Sequence, residues 1–436
     1  MEIYIKIPNF VFVHGKSINQ LMELEKYSFG IGDRFALQGE AQLKAIIKAK
    51  SRGIPVVPVW NKSNREHQII HSSPADIRKE ADEATSALGW SGPYHVDADH
   101  INLGTVDGFI AHSDFFTLDV ADYIGKEMSG KEIDAFIKTA VPYTGTLEIP
   151  GIDEHFRIDR DLLDRIAGNF LGAVREAAAI YRYIESKKGE GNFIAEVSMD
   201  EVEQPQTPVE LFFILLMINQ HGIPAQTIAP KFTGRFNKGV DYVGEVERFR
   251  KEFEQDLLVI DHAVNSFGLP GNLKLSVHSG SDKFTIYPVM GELIRKHDKG
   301  IHVKTAGTTW LEEVIGLAMA GGDALKMAKE IYAHAYQRRE ELCTPYAAVI
   351  DIDPATLPVP GEVESWDGEK LANTLRHVPG HPDYHPGFRQ LVHVGYKVAA
   401  EMEDRFLDMV RVHAEVVGEQ VTANIYDRHI VRLFNL

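Results

Sequence analysis

Cysteine is almost absent from this sequence. Cys343 is the only one among 436 residues, so a disulfide framework and a thiolate zinc site are both excluded. Long apolar runs are lacking too, because none reaches the roughly 18 residues that a membrane-spanning helix needs. The first residues, MEIYIKIPNFVFV, carry Glu2 and Lys6 and lack a small-residue cleavage site, unlike a signal peptide. We therefore expect a cytoplasmic protein without a membrane partner.

Positive charge is also scarce. The chain has 46 Lys and Arg against 63 Asp and Glu, which gives a net charge of -17. An acidic surface repels nucleic acid and anionic membranes, so neither is expected as a partner. The hydrophobic fraction of 44% suffices for a large core. It suits either one domain of about 250–350 residues with an extension, or two domains.

Short apolar stretches alternate along the chain with longer amphipathic ones. Near-continuous apolar strands separated by helical patterns are typical of a parallel sheet covered on both faces. Eight such strands close an α/β barrel of the (β/α)8 TIM type, and an open doubly wound sheet is the alternative. The predicted strands are 27–35, 54–60, 94–101, 115–121, 192–200, 225–232, 273–280 and 301–307.

The helical stretches carry recognisable start signals. Ser73-Pro74 and Thr207-Pro208 each combine a cap residue with a proline at the first helical position. We assign residues 1–342 to the barrel, with a hairpin insertion at about 142–160. Residues 343–436 form a Pro-rich loop and helices, an extension expected to pack on the barrel or on a neighbouring subunit of a homo-oligomer.

The stretch PYHVDADHINL places four polar, ionisable side chains at the end of an apolar strand. They are His95, Asp97, Asp99 and His100. Burying such groups is costly unless they bind something. In a barrel of this kind the active site lies at the carboxyl ends of the strands. Nearly every predicted strand delivers polar residues there, which favours a functional site with a small-molecule substrate. These candidates are Asp33, Arg34, Asn61, Asp99, His100, Asp119, Asp122, Glu196, Asp200, Glu201, Lys231, His278, Ser279, Gly280, Ser281, Lys304 and Thr305.

Two of these residues are the candidate metal ligands. His100 and His278 end the third and seventh predicted strands, and two imidazoles with a carboxylate are a usual ligand set for Zn²⁺ or a similar divalent metal ion such as Mn²⁺, Ni²⁺ or Co²⁺. Glu201 is preferred as the third ligand over Asp200 and Glu196, because it lies last on its strand. Glu196 would then orient an imidazole by accepting a hydrogen bond from the ring nitrogen that does not bind the metal.

The remaining candidates concern proton transfer and substrate binding. Asp99, beside a candidate metal ligand, is suited to act as a general acid/base. The alternative is that its carboxylate forms an ion pair with Arg34 or Lys231. Lys231 could alternatively form a Schiff base. The stretch HSGSDK at 278–283 could bind an anion through backbone N–H groups and Lys283. His302 faces either the site or the barrel core, and Trp310 is a sugar platform or a packing residue. Ser113 completes the candidate substrate-binding residues.

Two stretches resemble class II ketose aldolases. HVDADH is similar to their strand end at which an Asp transfers protons beside a zinc-binding His, and LSVHSGS to a later zinc-binding and anion-binding loop. The aldolases have a further zinc histidine on strand six, which TIAPKF lacks. This resemblance therefore implies either that a carboxylate of MDE supplies that ligand or that the metal geometry differs from theirs. Most of the chain more closely resembles the tagaturonate/fructuronate epimerases, some relatives of which act on tagatose and fructose at C4. The matching segments are SDFFTLDVADYIG, EVSMDE, IAPKFTGRFNKGVDYVG, HVKTAGTTWLEE, FRQLVHVGYKVA and NIYDRHIVRLF.

This resemblance implies a metal-dependent epimerase. The inverted carbon of such a substrate lies β to the ketone, where enolisation cannot reach its proton, whereas retro-aldol cleavage and re-addition would invert it. A class II-type aldolase that releases a three-carbon product is the alternative, and a non-catalytic sugar-binding barrel is the second. Transient oxidation by a nicotinamide is disfavoured, since no Gly-x-Gly-x-x-Gly fingerprint follows a strand.

Overall fold

The computed structural model describes residues 10–13, 16–19, 21–200, 202, 204–305 and 309–435. Within them eight parallel strands form a closed barrel in which each strand pairs with the next along the chain and the eighth pairs with the first to close the ring. Seven of them lie inside the predicted stretches, and Val56–Ser63 runs three residues past the stretch 54–60, so the predicted (β/α)8 TIM-type barrel is confirmed. In order, the barrel strands are Tyr27–Ile31, Val56–Ser63, His95–Ile101, Phe115–Asp119, Ile194–Ser198, Thr227–Ala229, Lys274–His278 and Ile301–Lys304.

Helices surround the barrel and cover the outward face of its strands. Val96, Ala98 and Val197 point outward and are completely buried under this layer, which explains the apolar half of each strand. None of the described helices is long and apolar enough to cross a bilayer. The helices up to Cys343 are Gly39–Ser51, Asn64–Ile70, Pro74–Ala87, Gly130–Ala140, Arg160–Lys188, Pro208–Gln220, Val246–Phe267, Tyr287–Lys296, Thr309–Ala320, Gly322–Gln337 and Arg339–Cys343.

The predicted helix starts are found where the caps indicated. The helix Pro208–Gln220 has Thr207 as its cap, and the Thr207 hydroxyl accepts a hydrogen bond from the Glu210 N–H at 3.3 Å. The Glu210 carboxylate in turn accepts from the Thr207 N–H at 2.7 Å. This reciprocal pair satisfies two donors that a helix start otherwise leaves without partners.

Two antiparallel hairpins lie outside the barrel. Gly145–Leu147 pairs with Phe156–Ile158 between the fourth and fifth barrel strands, where the sequence predicts a hairpin. Phe10–Val13 pairs with Lys16–Asn19 ahead of the first barrel strand and was not among the predicted strands. The proposed limits of the insertion, at about 142–160, and of the barrel, at 342, remain a prediction.

The C-terminal helices pack closely on the barrel helices. Val417, on the helix Ala414–Ala423, lies over Gly316 of the helix Thr309–Ala320, and a Cβ atom on Gly316 would come within 2.6 Å of the Val417 backbone. Trp310 is fully buried beneath the extension and donates its indole N–H to the Val392 carbonyl at 2.7 Å, so it is a packing residue. The helices of this region are Pro360–Val363, Gly368–Leu375, Pro386–Val394, Tyr396–Glu401, Asp404–Val412, Ala414–Ala423 and Val431–Phe434, with a π-helical turn at Asn424–Ile430.

A substitution at Gly316 tests this contact. Gly316→Ala should lower the free energy of unfolding by about 1–3 kcal/mol, because the new methyl group would push the extension off the barrel. Gly168→Ala is the matched control, since the Cβ position of Gly168 on the helix Arg160–Lys188 meets no atom within 4 Å. That change should instead stabilise by about 0.5–1 kcal/mol. Denaturant unfolding of both variants measures the difference, and equal stabilities would contradict the contact.

Candidate active site

Polar side chains fill the part of the barrel interior that lies nearest the carboxyl ends of the strands. Because side chains alternate along a strand, Asp97 and Asp99 of the third strand both point inward. Thr117 and Glu196 occupy paired inward positions on the fourth and fifth strands. Lys304 reaches the same space from the eighth strand. The barrel thus encloses a polar cluster at the end where its strands terminate.

Lys304 is the centre of this cluster. Its Nζ lies 2.8 Å from Asp97 Oδ2 and 2.9 Å from Asp99 Oδ1. The same atom lies 3.0 Å from Glu196 Oε1 and donates to the Thr117 hydroxyl. One buried ammonium therefore contacts three carboxylates, which together could not stay ionised in a dry interior without a cation.

A break in the third strand brings His100 to the same side as Asp99. The pairing of the third and fourth strands shifts between Ala98 and Ile101, and His100 has a φ of +51°. Strict alternation would turn successive side chains to opposite faces, whereas a bulge with a left-handed residue re-aims one of them. His100 Nδ1 then lies 2.9 Å from Asp99 Oδ1. Such backbone strain is found most often at functional sites.

Two imidazoles beside this polar cluster each have a buried ring nitrogen that lacks a hydrogen-bond partner within the described residues. They are His100 Nε2 and His278 Nδ1. They lie 3.7 Å and 3.2 Å from the same atom, Asp200 Oδ1. One ligand atom from each of the three residues falls within 4.8 Å of the others. Metal–ligand bonds of about 2.0–2.2 Å hold ligand atoms roughly 3–4 Å apart, so these atoms fit a divalent metal ion.

The opposite nitrogen of each ring is held by a carboxylate. His278 Nε2 lies 2.8 Å from Glu196 Oε1, and His100 Nδ1 contacts Asp99 as described. An ionised carboxylate only accepts hydrogen bonds, so these nitrogens must carry the protons. Asp200 favours a proton on the second nitrogen of each ring as well, which helps to raise the pKa values of His100 and His278. A bound metal ion would take the place of that proton, the arrangement that metal-binding histidines usually have.

Burial and close charges shift the pKa values of the cluster. Burial alone would lower the pKa of His278, but Asp200 and Glu196 outweigh it and raise that pKa to about 9. Burial raises the pKa of Asp97 to about 6 against the opposing effect of Lys304. For Asp99, burial is outweighed by Lys304 and His100, which hold its pKa well below the usual value. Asp99 is consequently ionised at neutral pH.

Glu201, the predicted third metal ligand, lies outside the described residues. Its neighbour Asp200 is the carboxylate that meets the two histidines, and Ser198 donates a hydrogen bond of 2.6 Å to Asp200 Oδ1. Lys231 follows the sixth strand, and its side chain is half-buried. The backbone N–H of Lys231 donates a hydrogen bond to Gln206 Oε1 at 2.6 Å.

Several predicted substrate-binding residues form hydrogen bonds within the protein, and their role in binding substrate stays a prediction. The ammonium of Lys283 is fully buried and donates to the carbonyls of Asn237 and Val240 at 2.9 and 2.8 Å. It also donates to the Ser281 hydroxyl at 2.7 Å. Both residues therefore fasten the loop at 237–240, and an anion would have to displace these bonds. Ser113 precedes the fourth strand and lies at the opposite end of the barrel from the site.

The other predicted residues lie at or below the site. The Asp33 carboxylate accepts from the N–H groups of Phe35 and Gln38 at 2.8 and 2.7 Å and so shapes the turn after the first strand. His302 is buried in the barrel core with Nδ1 2.9 Å from the Ser28 hydroxyl. Hydrogen bonds to backbone carbonyls fix the hydroxyls of two further residues beside the polar cluster. These are Ser279, bonded to Lys304, and Thr305, bonded to Gly30, while Gly280 follows Ser279 with a φ of +63°.

Sequence reasoning did not assign a role to Asp97 or Thr117. Both contact Lys304, and Thr117 also donates to Asp97 at 3.0 Å. Asp97 could have been found, because it lies two residues before Asp99 and therefore on the same face of its strand. Thr117 carried no comparable signal.

Comparison with known proteins identifies the family of this chain. A model of the UxaE tagaturonate epimerase family matches residues 11–433. The chain belongs to this family. Membership makes it an epimerase, an enzyme of the isomerase class, as the resemblance implied. It is 27% identical over 419 residues to the tagaturonate/fructuronate epimerase of Thermotoga maritima, covering 92% of this chain and 80% of that protein.

Solved structures share the epimerase fold. A glycerol-complexed crystal structure of the fructuronate-tagaturonate epimerase UxaE from Cohnella laeviribosi superposes with a TM-score of 0.78 at 21% identity, covering 95% of this chain and 82% of that one. Its native crystal structure gives a TM-score of 0.76 with the same coverage. The similarity therefore extends through the barrel and the C-terminal helices alike.

Replacing one histidine tests the metal cluster. His278→Ala should abolish tight binding of a divalent metal ion while the protein stays folded, because one of the three converging ligands is lost. Metal content after dialysis, measured by elemental analysis, gives the result, and circular dichroism checks the fold. His155→Ala is the control, since that side chain is 66% exposed. Undiminished metal binding by His278→Ala would rule out this ligand set.

Proposed function

We propose that this epimerase interconverts tagaturonate and fructuronate, or the ketohexoses tagatose and fructose at C4, by metal-dependent retro-aldol and aldol chemistry. Family membership supports the reaction. The observation that carries the metal is the pair of unpartnered nitrogens on His100 and His278, which converge on Asp200. A cytoplasmic location and assembly into a homo-oligomer remain parts of this proposal.

His100, Asp200 and His278 would hold the metal ion, with Glu201 as a further carboxylate from the same segment. Zn²⁺, Mn²⁺, Ni²⁺ and Co²⁺ all accept such mixed nitrogen and oxygen ligands. A divalent cation supplies electrostatic stabilisation of the negative charge that develops on the substrate oxygens. Asp99 and Glu196 would orient the two imidazoles through the protonated nitrogens.

Asp99 is the proposed acid/base. It would take the proton of the hydroxyl on the carbon that is to be inverted, so that this carbon becomes an aldehyde as the bond to its neighbour breaks. The bonding electrons pass to the ketone half of the substrate, which becomes an enediolate. After the aldehyde rotates, the bond re-forms on its other face and Asp99 returns the proton. Lys304, 2.9 Å away, keeps Asp99 ionised before it takes the proton.

Removal and return of the metal ion tests the proposed reaction. Metal-stripped protein should be inactive, and Zn²⁺, Mn²⁺, Ni²⁺ or Co²⁺ should restore interconversion of one epimer pair, because the retro-aldol step needs the cation. Tagaturonate, fructuronate, tagatose and fructose are followed by chromatography, with a coupled assay for free triose. Release of triose would favour the aldolase alternative. Activity that does not depend on a metal ion would contradict the proposed reaction and favour Schiff-base chemistry at Lys231.

The acid/base role of Asp99 is tested by an isosteric change. Both recorded contacts of the Asp99 carboxylate use Oδ1, so the amide oxygen of Asp99→Asn can keep His100 and Lys304 in place. Metal binding should survive while turnover falls by about 10²–10⁴-fold, the usual contribution of a general acid/base.

Asp408→Asn is the matched control for this change, because that side chain is 69% exposed on the helix Asp404–Val412. Steady-state kinetics and metal content of both variants are compared with the parent protein. Near-normal turnover by Asp99→Asn would refute the assignment.

A further inference from the structure

Asp282 is a buried carboxylate in the loop that follows the seventh barrel strand, a short distance along the chain from His278. Its side chain is fully buried, and the Arg389 guanidinium donates to its Oδ2 at 2.7 Å. His377 Nδ1 lies 3.3 Å from the same oxygen, and His429 Nε2 lies 3.3 Å from Oδ1. These three partners come from three separate segments of the C-terminal extension. One carboxylate of the barrel is therefore the point at which these segments meet.

Arg389 connects this loop to a second loop of the barrel. Its side chain is fully buried on the helix Pro386–Val394, and besides Asp282 it donates to the carbonyls of Gly239, at 2.5 Å, and Leu375. Gly239 lies in the loop after the sixth strand. Burial would raise the pKa of Asp282, but Arg389 and the two histidines outweigh it and hold that pKa well below its usual value. Because few arrangements satisfy so many buried polar groups at once, such a network makes the backbone around it rigid.

The loop after the seventh strand is attached to the barrel as well. The N–H of Ser279 donates to the Lys304 carbonyl at 3.1 Å, and the Ser279 hydroxyl donates to the same oxygen at 2.6 Å. Gly280 follows with a φ of +63°, a left-handed conformation that favours glycine. The backbone between His278 and Asp282 is thus fixed by the eighth strand at one end and by the extension at the other.

His278 is the last residue of its strand. Within the described residues, the seventh strand pairs with the sixth up to Leu275 and with the eighth up to His278, so the sheet holds His278 on one side. Its Nε2 nevertheless lies 2.8 Å from Glu196, and its Nδ1 faces Asp200 at 3.2 Å. A metal ligand needs to be held within about 0.5 Å of its productive position. The loop must supply the precision that the sheet does not.

We propose that Asp282 and Arg389 position His278 for metal binding, so that the C-terminal extension completes a metal site whose candidate ligands lie in the barrel. The inference rests on the proposed function, since it concerns the metal ion of that reaction. Both side chains are fully buried and act through the loop at 278–283, which makes them positioning residues. A protein in which this network is weakened should fold and yet bind its metal ion poorly.

Arg389→Lys in the full-length protein tests the network. Lysine keeps the positive charge but lacks the fork of donors that reaches Asp282, Gly239 and Leu375 together. The dissociation constant for Co²⁺ should rise about 10-fold, the lower end of the effect of losing a group that orients a metal ligand. The visible absorption of bound Co²⁺ should shift too, because it depends on the geometry of the ligands. Titration of metal-stripped protein against a competing chelator gives the dissociation constant, and circular dichroism checks the fold.

Two control variants separate positioning from stability. Arg411→Lys makes the same chemical change on a side chain that is 54% exposed on the helix Asp404–Val412, and it should leave both readouts unchanged. Gly316→Ala loosens the extension at a different contact, where Val417 packs on the helix Thr309–Ala320. It should lower the stability of the protein without changing its Co²⁺ affinity or absorption.

His429→Phe is a milder second variant. Phenylalanine can keep the ring contacts of His429 with Phe29, Phe284 and Tyr287, whose centroids lie 5.3–6.1 Å away, and it loses the nitrogen that faces Asp282. Its affinity for Co²⁺ should fall as well, by a smaller factor than in Arg389→Lys. This variant decides the question if Arg389→Lys does not fold.

Unchanged Co²⁺ affinity and absorption in the folded variants would overturn the inference and leave Asp282 an anchor of the extension. A parent protein that binds Co²⁺ without epimerising any of the four sugars would refute the proposed reaction, and the Co²⁺ measurements would still decide the role of Asp282. Binding of no metal ion by the parent protein would refute both.

Discussion

The site depends on one buried cation. Lys304 lies within 3.0 Å of oxygen atoms from Asp97, Asp99 and Glu196. Taking so many carboxylates out of water is unfavourable unless a cation compensates them. With Lys304 in place, Asp99 and Glu196 stay ionised in the interior of the barrel. Those two anions are the ones that hold the imidazoles.

The orientation of the histidines follows from this arrangement. Glu196 takes one proton-bearing nitrogen of His278 and Asp99 takes that of His100, so the remaining nitrogens both turn toward Asp200. The bulge at His100 contributes to the same arrangement, because it places the consecutive residues Asp99 and His100 on one face of the strand. Ammonium, carboxylates and imidazoles therefore form one connected layer, in which moving any member would disturb the metal cluster.

The C-terminal extension contributes to the active end of the barrel as well as to its stability. Its helices pack on the barrel helices around Gly316 and Trp310. Its 3₁₀ helix Thr344–Val349 passes over the opening, where Tyr346 lies between Arg65, after the second strand, and Lys238, after the sixth. A barrel alone would leave this end open to water. The extension narrows it and brings aromatic surface next to the cations.

The order of strands and helices, the barrel, and the candidates His100, His278 and Asp99 could all be predicted from the amino-acid sequence. These depend on local patterns such as apolar periodicity, helix caps and polar residues at strand ends. The folded barrel was needed to show that Lys304 pairs with Asp97, Asp99 and Glu196, that Asp200 lies between the histidines, and that Lys283 binds backbone carbonyls. The physical reason is distance along the chain. Lys304 and Asp97 are 207 residues apart, and no local pattern records which buried charges will neutralise one another once the barrel closes.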